Sequence, residues 1–167
     1  MILKPTQTKD LRQLFLNQAD EMYNHMAAFT SENPTDEQAY MEKWSKIIEN
    51  PEINIQSIFV DDVLVGSVLY FEMMGEVNIS YGIERQYWGK GYATEAAIKC
   101  KEFAFENNFA DSIISIIHPD NTPSEKVALN NGMKLHKKVD GQFHGMPANI
   151  FQITRDEFCN TKPRYSL

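Results

Sequence analysis

Residues 77–96 read Val77-Asn78-Ile79-Ser80-Tyr81-Gly82-Ile83-Glu84-Arg85-Gln86-Tyr87-Trp88-Gly89-Lys90-Gly91-Tyr92-Ala93-Thr94-Glu95-Ala96. Val77, Ile79, Tyr81 and Ile83 alternate with Asn78, Ser80 and Gly82, the period-two pattern of a half-buried strand. Two glycines then flank Lys90, and an alanine-rich stretch of helical period begins at once. A strand that passes through a glycine turn into a helix aims free backbone N–H groups at one spot, where the helix dipole adds positive potential. An anion suits that spot, and a diphosphate is the first to consider.

Two nucleotide motifs fail against this stretch. A triphosphate P-loop requires G-x-x-x-x-G-K-[ST]. Gly89-Lys90-Gly91 has the wrong spacing, and no hydroxyl residue follows Lys90 to hold magnesium. The dinucleotide fingerprint G-x-G-x-x-G matches at Gly89 and Gly91, but Thr94 occupies the third glycine's place. Asp111 precedes the next strand when it would have to end it.

The chain upstream begins with a short strand over Met1–Lys4, ended by Pro5. Leu11, Leu14, Phe15, Met22, Tyr23 and Met26 then recur at three- and four-residue steps, as in one amphipathic helix or two consecutive ones. After a polar break at Phe29–Pro34, Thr35 is placed to cap a helix with Gln38 as its capping-box partner. Tyr40, Trp44, Ile47 and Ile48 give that helix an apolar face, and Asn50-Pro51 stops it. Residues 53–60 and 63–71 read as a hairpin turned by Asp61-Asp62, and Gly75 leads into the 77–83 strand.

Downstream, Ala93, Ala97, Cys100 and Ala104 fall on one helical face, with Glu95, Lys99 and Glu102 opposite. Small residues on the buried face let the helix lie close to a sheet. Residues 112–118 carry Ile113, Ile114, Ile116 and Ile117, as expected of a strand covered on both faces. The helical crossover makes this strand parallel to the 77–83 strand. Thr122 is the expected cap of the next helix, with Pro123 first in it and Glu125 closing a capping box; Asn131-Gly132 ends it. Residues 133–139 and 149–154 read as two more strands joined by a long loop, Asp140–Pro147. One helical turn follows at Thr154–Glu157, and residues 158–167 are expected to fray.

Composition bounds the rest. The chain has 167 residues, with 43% hydrophobic and 23% charged, as expected of one folded domain over residues 1–167. Its net charge of −7 disfavours nucleic acid as a partner. Cys100 and Cys159 are too far apart in sequence for a paired-thiolate motif, so neither a disulfide framework nor a metal site is expected. His118, His136 and His144 lack ligand spacing on one element. No basic apolar leader and no run near the roughly 18 apolar residues of a membrane span is present. A cytoplasmic location is expected, without membrane contact.

The longer context of the turn is more specific. Gln86-x-x-Gly89-x-Gly91 resembles the Q/R-x-x-G-x-G/A acyl-CoA signature of the GNAT N-acetyltransferase superfamily. Tyr87 through Ala96 is similar to the version found in its RimJ/RimL-like branch, the ribosomal-protein alanine acetyltransferase type. A second block agrees: Asn121-Thr122-Pro123-Ser124, then Val127-Ala128, then Asn131-Gly132-Met133. The likeness is strong over residues 76–138, and the first 50 residues fit by element order alone.

The resemblance implies an α/β (α+β) fold. Its sheet is mixed, mostly antiparallel and strongly twisted, with six to seven strands, about four flanking helices and a splayed central parallel pair. It implies acetyl-CoA as donor, no metal, and an amine acceptor in a monomer or homodimer. The acceptor is a protein or peptide N-terminal α-amine, or alternatively a small-molecule amine such as a polyamine, amino acid or antibiotic. A non-catalytic acyl-CoA-binding module is the reading from another class.

On this resemblance the backbone of Tyr87, Trp88, Gly89, Lys90, Gly91, Tyr92, Ala93 and Thr94, preceded by Gln86, holds the CoA pyrophosphate. Tyr81, Gly82 and Ile83 bond the pantetheine arm as an added strand would. Asn121 corresponds to a pantetheine contact; from the residues alone it equally reads as a turn residue at a helix start. Ser124 lies near the thioester sulfur in this branch. The tyrosine acid of many members falls at Ala128, and a glutamate of some members falls at Ile116. Ser124, Tyr81 or a water is left as proton donor, and His118, His144 or Glu72 as base.

Overall fold

The computed structural model describes residues 1–27, 33–73, 75–143 and 145–161. Seven strands make one sheet: β1 Ile2–Pro5, β2 Ile53–Val60, β3 Val63–Met73, β4 Glu76–Ile83, β5 Ser112–Ile117, β6 Lys134–Phe143 and β7 Met146–Thr154, ordered β1-β2-β3-β4-β5-β7-β6. The helices are α1 Leu11–Gln18, α2 Glu21–Met26, α3 Glu37–Glu49, α4 Tyr92–Glu106, α5 Thr122–Asn130 and α6 Arg155–Thr161. β4 and β5 are the parallel pair, and every other neighbouring pair is antiparallel. The mixed, mostly antiparallel sheet is the expected one.

Sequence alternation decides which face each helix covers. On β4, Ile79 and Ile83 point into a core with Ile58, Val65 and Val68, and α4 lays Ala96, Ala97, Cys100 and Ala104 over it. Alanines bring that helix close, and the two-residue turn at Asp61 and Asp62 adopts φ of 49° and 62°, the left-handed pair a tight hairpin requires. The opposite face is covered by α1 and α3, where Leu11, Leu14, Phe15 and Tyr40 form a separate cluster. Lys101 is buried inside α4; its ammonium donates to the Asn131 carbonyl at 2.7 Å, which ties α4 to the end of α5.

Several boundaries differ from expectation. The cap of α3 is Asp36, whose carboxylate accepts from the Ala39 N–H at 2.9 Å, instead of Thr35. A carboxylate there also opposes the helix dipole, which a threonine does not. The cap of α5 is Asn121 and not Thr122; its side chain accepts from the Ser124 N–H at 3.0 Å. Glu125 therefore closes no capping box and accepts from the Asn149 amide at 2.7 Å. The expected loop over 140–147 is largely strand, because β6 runs to Phe143 and β7 starts at Met146. The chain does not fray at Phe158: α6 continues to Thr161, with Phe158 buried and stacked on Phe105 at 4.9 Å.

Candidate active site

β4 and β5 share only two register positions, Val77 with Ile113 and Asn78 with Ile114. Beyond them the strands part. The Glu84 N–H bonds the Val65 carbonyl at 2.8 Å, so by strand alternation residues 82 and 80 face β3, while residues 83, 81 and 79 face the gap. Two of those gap-facing groups are occupied. Ser115 donates its hydroxyl to the Ile79 carbonyl at 3.0 Å, and the Trp88 indole donates to the Ile83 carbonyl at 2.6 Å. Among the described residues, the Ile83 N–H and both backbone groups of Tyr81 remain on the open edge, a template for one more extended chain.

At the end of β4 the chain makes a short 3-10 turn at Arg85–Tyr87 and reaches α4 through Gly89 and Gly91. Their φ values are 75° and 82°. A Cβ on either would meet nothing within 4 Å, so glycine is required there by conformation, not by packing. Gly91 is the N-cap of α4 and supplies no side-chain cap. The N–H groups of Tyr92, Ala93 and Thr94 therefore start a 15-residue helix without intrahelical acceptors. Lys90 lies over the Tyr87 ring, its ammonium 5.0 Å from the centroid, and Gln86 donates to Glu84.

The mouth of the gap is built from both faces. From the α5 side, the Tyr81 hydroxyl donates to the Ser124 carbonyl at 3.2 Å, and burial pushes the phenol up to about 12 despite that bond. Ser124 is the third residue of α5, not the second, and its hydroxyl takes part in none of the hydrogen bonds seen among the described residues. Asn121 uses its carbonyl oxygen on the Ser124 N–H and its amide on the Met26 carbonyl at 2.6 Å. It caps a helix and straps α2 to α5 across the gap. His118 follows β5, and its Nδ1 accepts from the Asp120 N–H at 3.2 Å. The same Nδ1 lies 3.8 Å from the Asp120 carboxylate, so this nitrogen is engaged on both sides by Asp120.

Glu72, another candidate base, lies away from the gap. Glu72 is exposed on β3 opposite Val77, at the closed end of the β4–β5 pair. His144 and most of the Phe29–Pro34 break lie outside the described residues. Ala128 is 2% exposed, within the core. Among the described residues, no three His, Cys, Asp or Glu side chains are gathered for a metal.

Sequence reasoning treated Tyr23 as core, and its neighbours on α2 drew no functional reading. Tyr23 lays its hydroxyl on Gly82, where an added Cβ would collide with it. Burial holds this phenol up at about 12. His25 faces His118 with ring centroids 6.1 Å apart. Nearby, a pocket of about 550 Å³ lies between α1, the start of α2 and the segment leaving β4. The one available signal was the break at Ala19-Asp20, which starts a new helix and turns its first residues toward β4.

An open-edged strand, two left-handed glycines and an uncapped helix start thus follow one another in a single segment. The chain belongs to the GNAT acetyltransferase family, whose domain model matches residues 1–134. It is 33% identical over 76 residues to the uncharacterized N-acetyltransferase YnaD of Bacillus subtilis (strain 168), a match covering 44% of this chain and 45% of that one. Aminoglycoside acetyltransferase AAC(6′)-Ib, solved with ribostamycin and coenzyme A, shares the fold at a TM-score of 0.83 and 15% identity, covering 97% of both chains. RimL, a ribosomal L7/L12 α-N-protein acetyltransferase solved with coenzyme A, matches at 0.78 and 14% identity over 93% of this chain and 94% of that one.

Proposed function

We propose that this protein, a single domain over residues 1–167, transfers the acetyl group of acetyl-CoA directly to a primary amine. The observation that carries the reading is the parted β4–β5 edge running straight into the uncapped start of α4. The pyrophosphate is assigned to the N–H groups from Tyr87 to Thr94, with Gln86 ahead of them and the Lys90 ammonium at the edge. The pantetheine amides are assigned to the Ile83 N–H and the backbone of Tyr81, beside Gly82. Support for coenzyme A comes from the family and from two solved relatives of the same fold that hold it.

The amine attacks the thioester carbonyl, whose developing charge a gap-facing N–H of β4 stabilises. A proton passes from the amine, and one reaches the leaving thiolate. The Ser124 hydroxyl is the assigned donor to that thiolate. A phenol held near 12, as Tyr81 is, keeps its proton against a thiol of pKa about 8.5 and serves as a hydrogen-bonding support for α5. His118 is assigned no proton transfer, since its Nδ1 is engaged. An α-amine, with pKa near 8, is roughly a tenth free base at neutral pH. A peptide N-terminus, the acceptor of the RimJ/RimL-like branch, therefore needs the least help, and the cytoplasm is the assigned location.

The test is thiol release from acetyl-CoA with a panel of amines, alongside direct CoA binding. Gly89→Trp and Gly91→Trp, checked for folding by circular dichroism, are expected to lose CoA binding by about tenfold or more. Normal binding in both would displace the pyrophosphate from this turn. CoA binding without turnover on any amine would make the protein an acyl-CoA-binding module.

A further inference from the structure

The pocket of about 550 Å³ beside the gap is lined by Gln13, Asn17, Asp20, Glu84, Arg85 and Gln86, with Leu16 at its side. Its charges do not balance. Asp20 accepts from the Tyr23 N–H at 2.9 Å and pairs with Arg85 at 3.5 Å, where the arginine side chain is 60% exposed. Among the described residues, the Glu84 carboxylate accepts from amide donors alone, Gln13 at 3.5 Å and Gln86. Two carboxylates against one loosely held guanidinium repel a phosphate, so this pocket does not extend the pyrophosphate cradle a few residues further on.

A second observation is independent of charge. Asn17 is 5% exposed, yet its side-chain amide makes no hydrogen bond among the described residues. The buried polar atoms sealed off without a partner are Asn78 Oδ1 and Asn131 Oδ1. The Asn17 amide is not among them, and Asn17 lines the pocket. A buried amide left without a partner is costly, and a ligand in the pocket would satisfy it.

Position connects this pocket to the chemistry. Glu84 directly follows Ile83, and Gly82 lies two strand residues back, roughly 7 Å away. Asp20 sits three residues before Tyr23, about one helical turn or ~5 Å, and Tyr23 touches Gly82. The carbon chain of a short diamine spans such a distance.

We infer that the pocket is a subsite for a second ammonium group, which makes the acceptor an oligoamine. The inference rests on the acetyl-transfer reading above. One nitrogen, as the free base, enters the gap beside Gly82 and forms the C–N bond as the C–S bond breaks. Its proton leaves and the thiolate is protonated, giving a monoacetylated product and free CoA. The other nitrogen stays protonated between Glu84 and Asp20, with the Asn17 amide oxygen as a further acceptor.

The test is calorimetric titration of the full chain with spermidine, putrescine and n-butylamine, with CoA present and absent, followed by turnover of the same amines. Spermidine and putrescine are expected to bind at least about tenfold more tightly than n-butylamine, tenfold being 1.4 kcal/mol. Glu84→Gln and Asp20→Asn, the latter keeping a competent helix cap, should each weaken spermidine about tenfold and raise its KM while CoA binding is unchanged. Arg85→Ala should tighten spermidine, because it removes the competing cation; loss of packing would not do so. Equal binding of the three amines, no binding of any, or weaker spermidine binding by Arg85→Ala would overturn the subsite. So would turnover of a peptide α-amine that surpasses spermidine and ignores Glu84→Gln. Loss of CoA binding in the unaltered protein would sink the acetyl-transfer reading instead, whatever the amines do.

Discussion

Gly82 shows how one missing side chain can couple two elements. Its backbone is ordinary strand, so a turn does not explain the residue; the Tyr23 hydroxyl occupies the space a Cβ would need. Gly82→Ala is expected to destabilise by about 1–3 kcal/mol, the range for overpacking. Tyr23→Ala in the same chain should recover most of that loss beyond its own effect, read as a coupling energy in a denaturant double-mutant cycle. An additive pair would mean the two residues do not share the space. Tyr23 and Tyr81 also contribute to an alkaline limit, beside Tyr40 and Cys100, which burial raises as well. The Tyr23 and Tyr81 phenols are both raised by burial from 10.0 to about 12, so the folded state holds protons that the unfolded chain releases. Their contribution is present in full below pH 10 and is lost as pH rises toward 12. Melting temperature should fall across that window and fall less in Tyr23→Phe.

At the scale of elements, the parted β4–β5 pair is bridged past its last shared rung by the Ser115 hydroxyl on the Ile79 carbonyl. Ser115 is 4% exposed, so Ser115→Ala strands a buried carbonyl at a cost of about 1–3 kcal/mol. Chemical denaturation should report that loss, while Ser112→Ala, nearer the surface, should cost less. Ser115 was invisible in sequence because nothing local separates a strand serine that satisfies a neighbour from one that fills space. The strands and helices themselves were legible, since alternation in 77–83 and the alanine face of α4 follow from burial on one side. The caps at Asp36 and Asn121 each lie one residue from the expected position, where two adjacent polar residues compete. Asn121 also bonds Met26, a partner no spacing rule connects to it. The strand, glycine turn and helix start over residues 77–94 were legible because one continuous segment builds them. The pocket of Asn17, Asp20 and Glu84 was not, because it joins residues far apart in the chain.

Across the whole molecule, α6 is fastened by charge as well as by Phe158. Glu157 accepts from Lys134 on β6 at 2.6 Å and from the Thr154 N–H at 3.0 Å, and these bonds hold its carboxyl down from 4.5 to about 2. A lowered carboxylate contributes stability that is present above pH 4.5 and is lost as pH falls toward 2. Glu157→Gln should therefore flatten the acid limb of the melting curve in that window and leave the neutral region little changed. If both proteins lose stability in parallel below pH 4.5, Glu157 is not the group responsible.

The two shared rungs between β4 and β5 make the sheet a pair of ribbons, β1–β4 and β5–β7–β6, stitched at one end only. A chain lying in the opening would act as the missing stitches, so coenzyme A seated there as proposed would become part of the protein's architecture while bound. Amide deuteration should register this at Tyr81 and Ile83. Their N–H groups are expected to exchange freely in the ligand-free protein and to become protected on CoA binding, by the margin set by ligand excess over its dissociation constant.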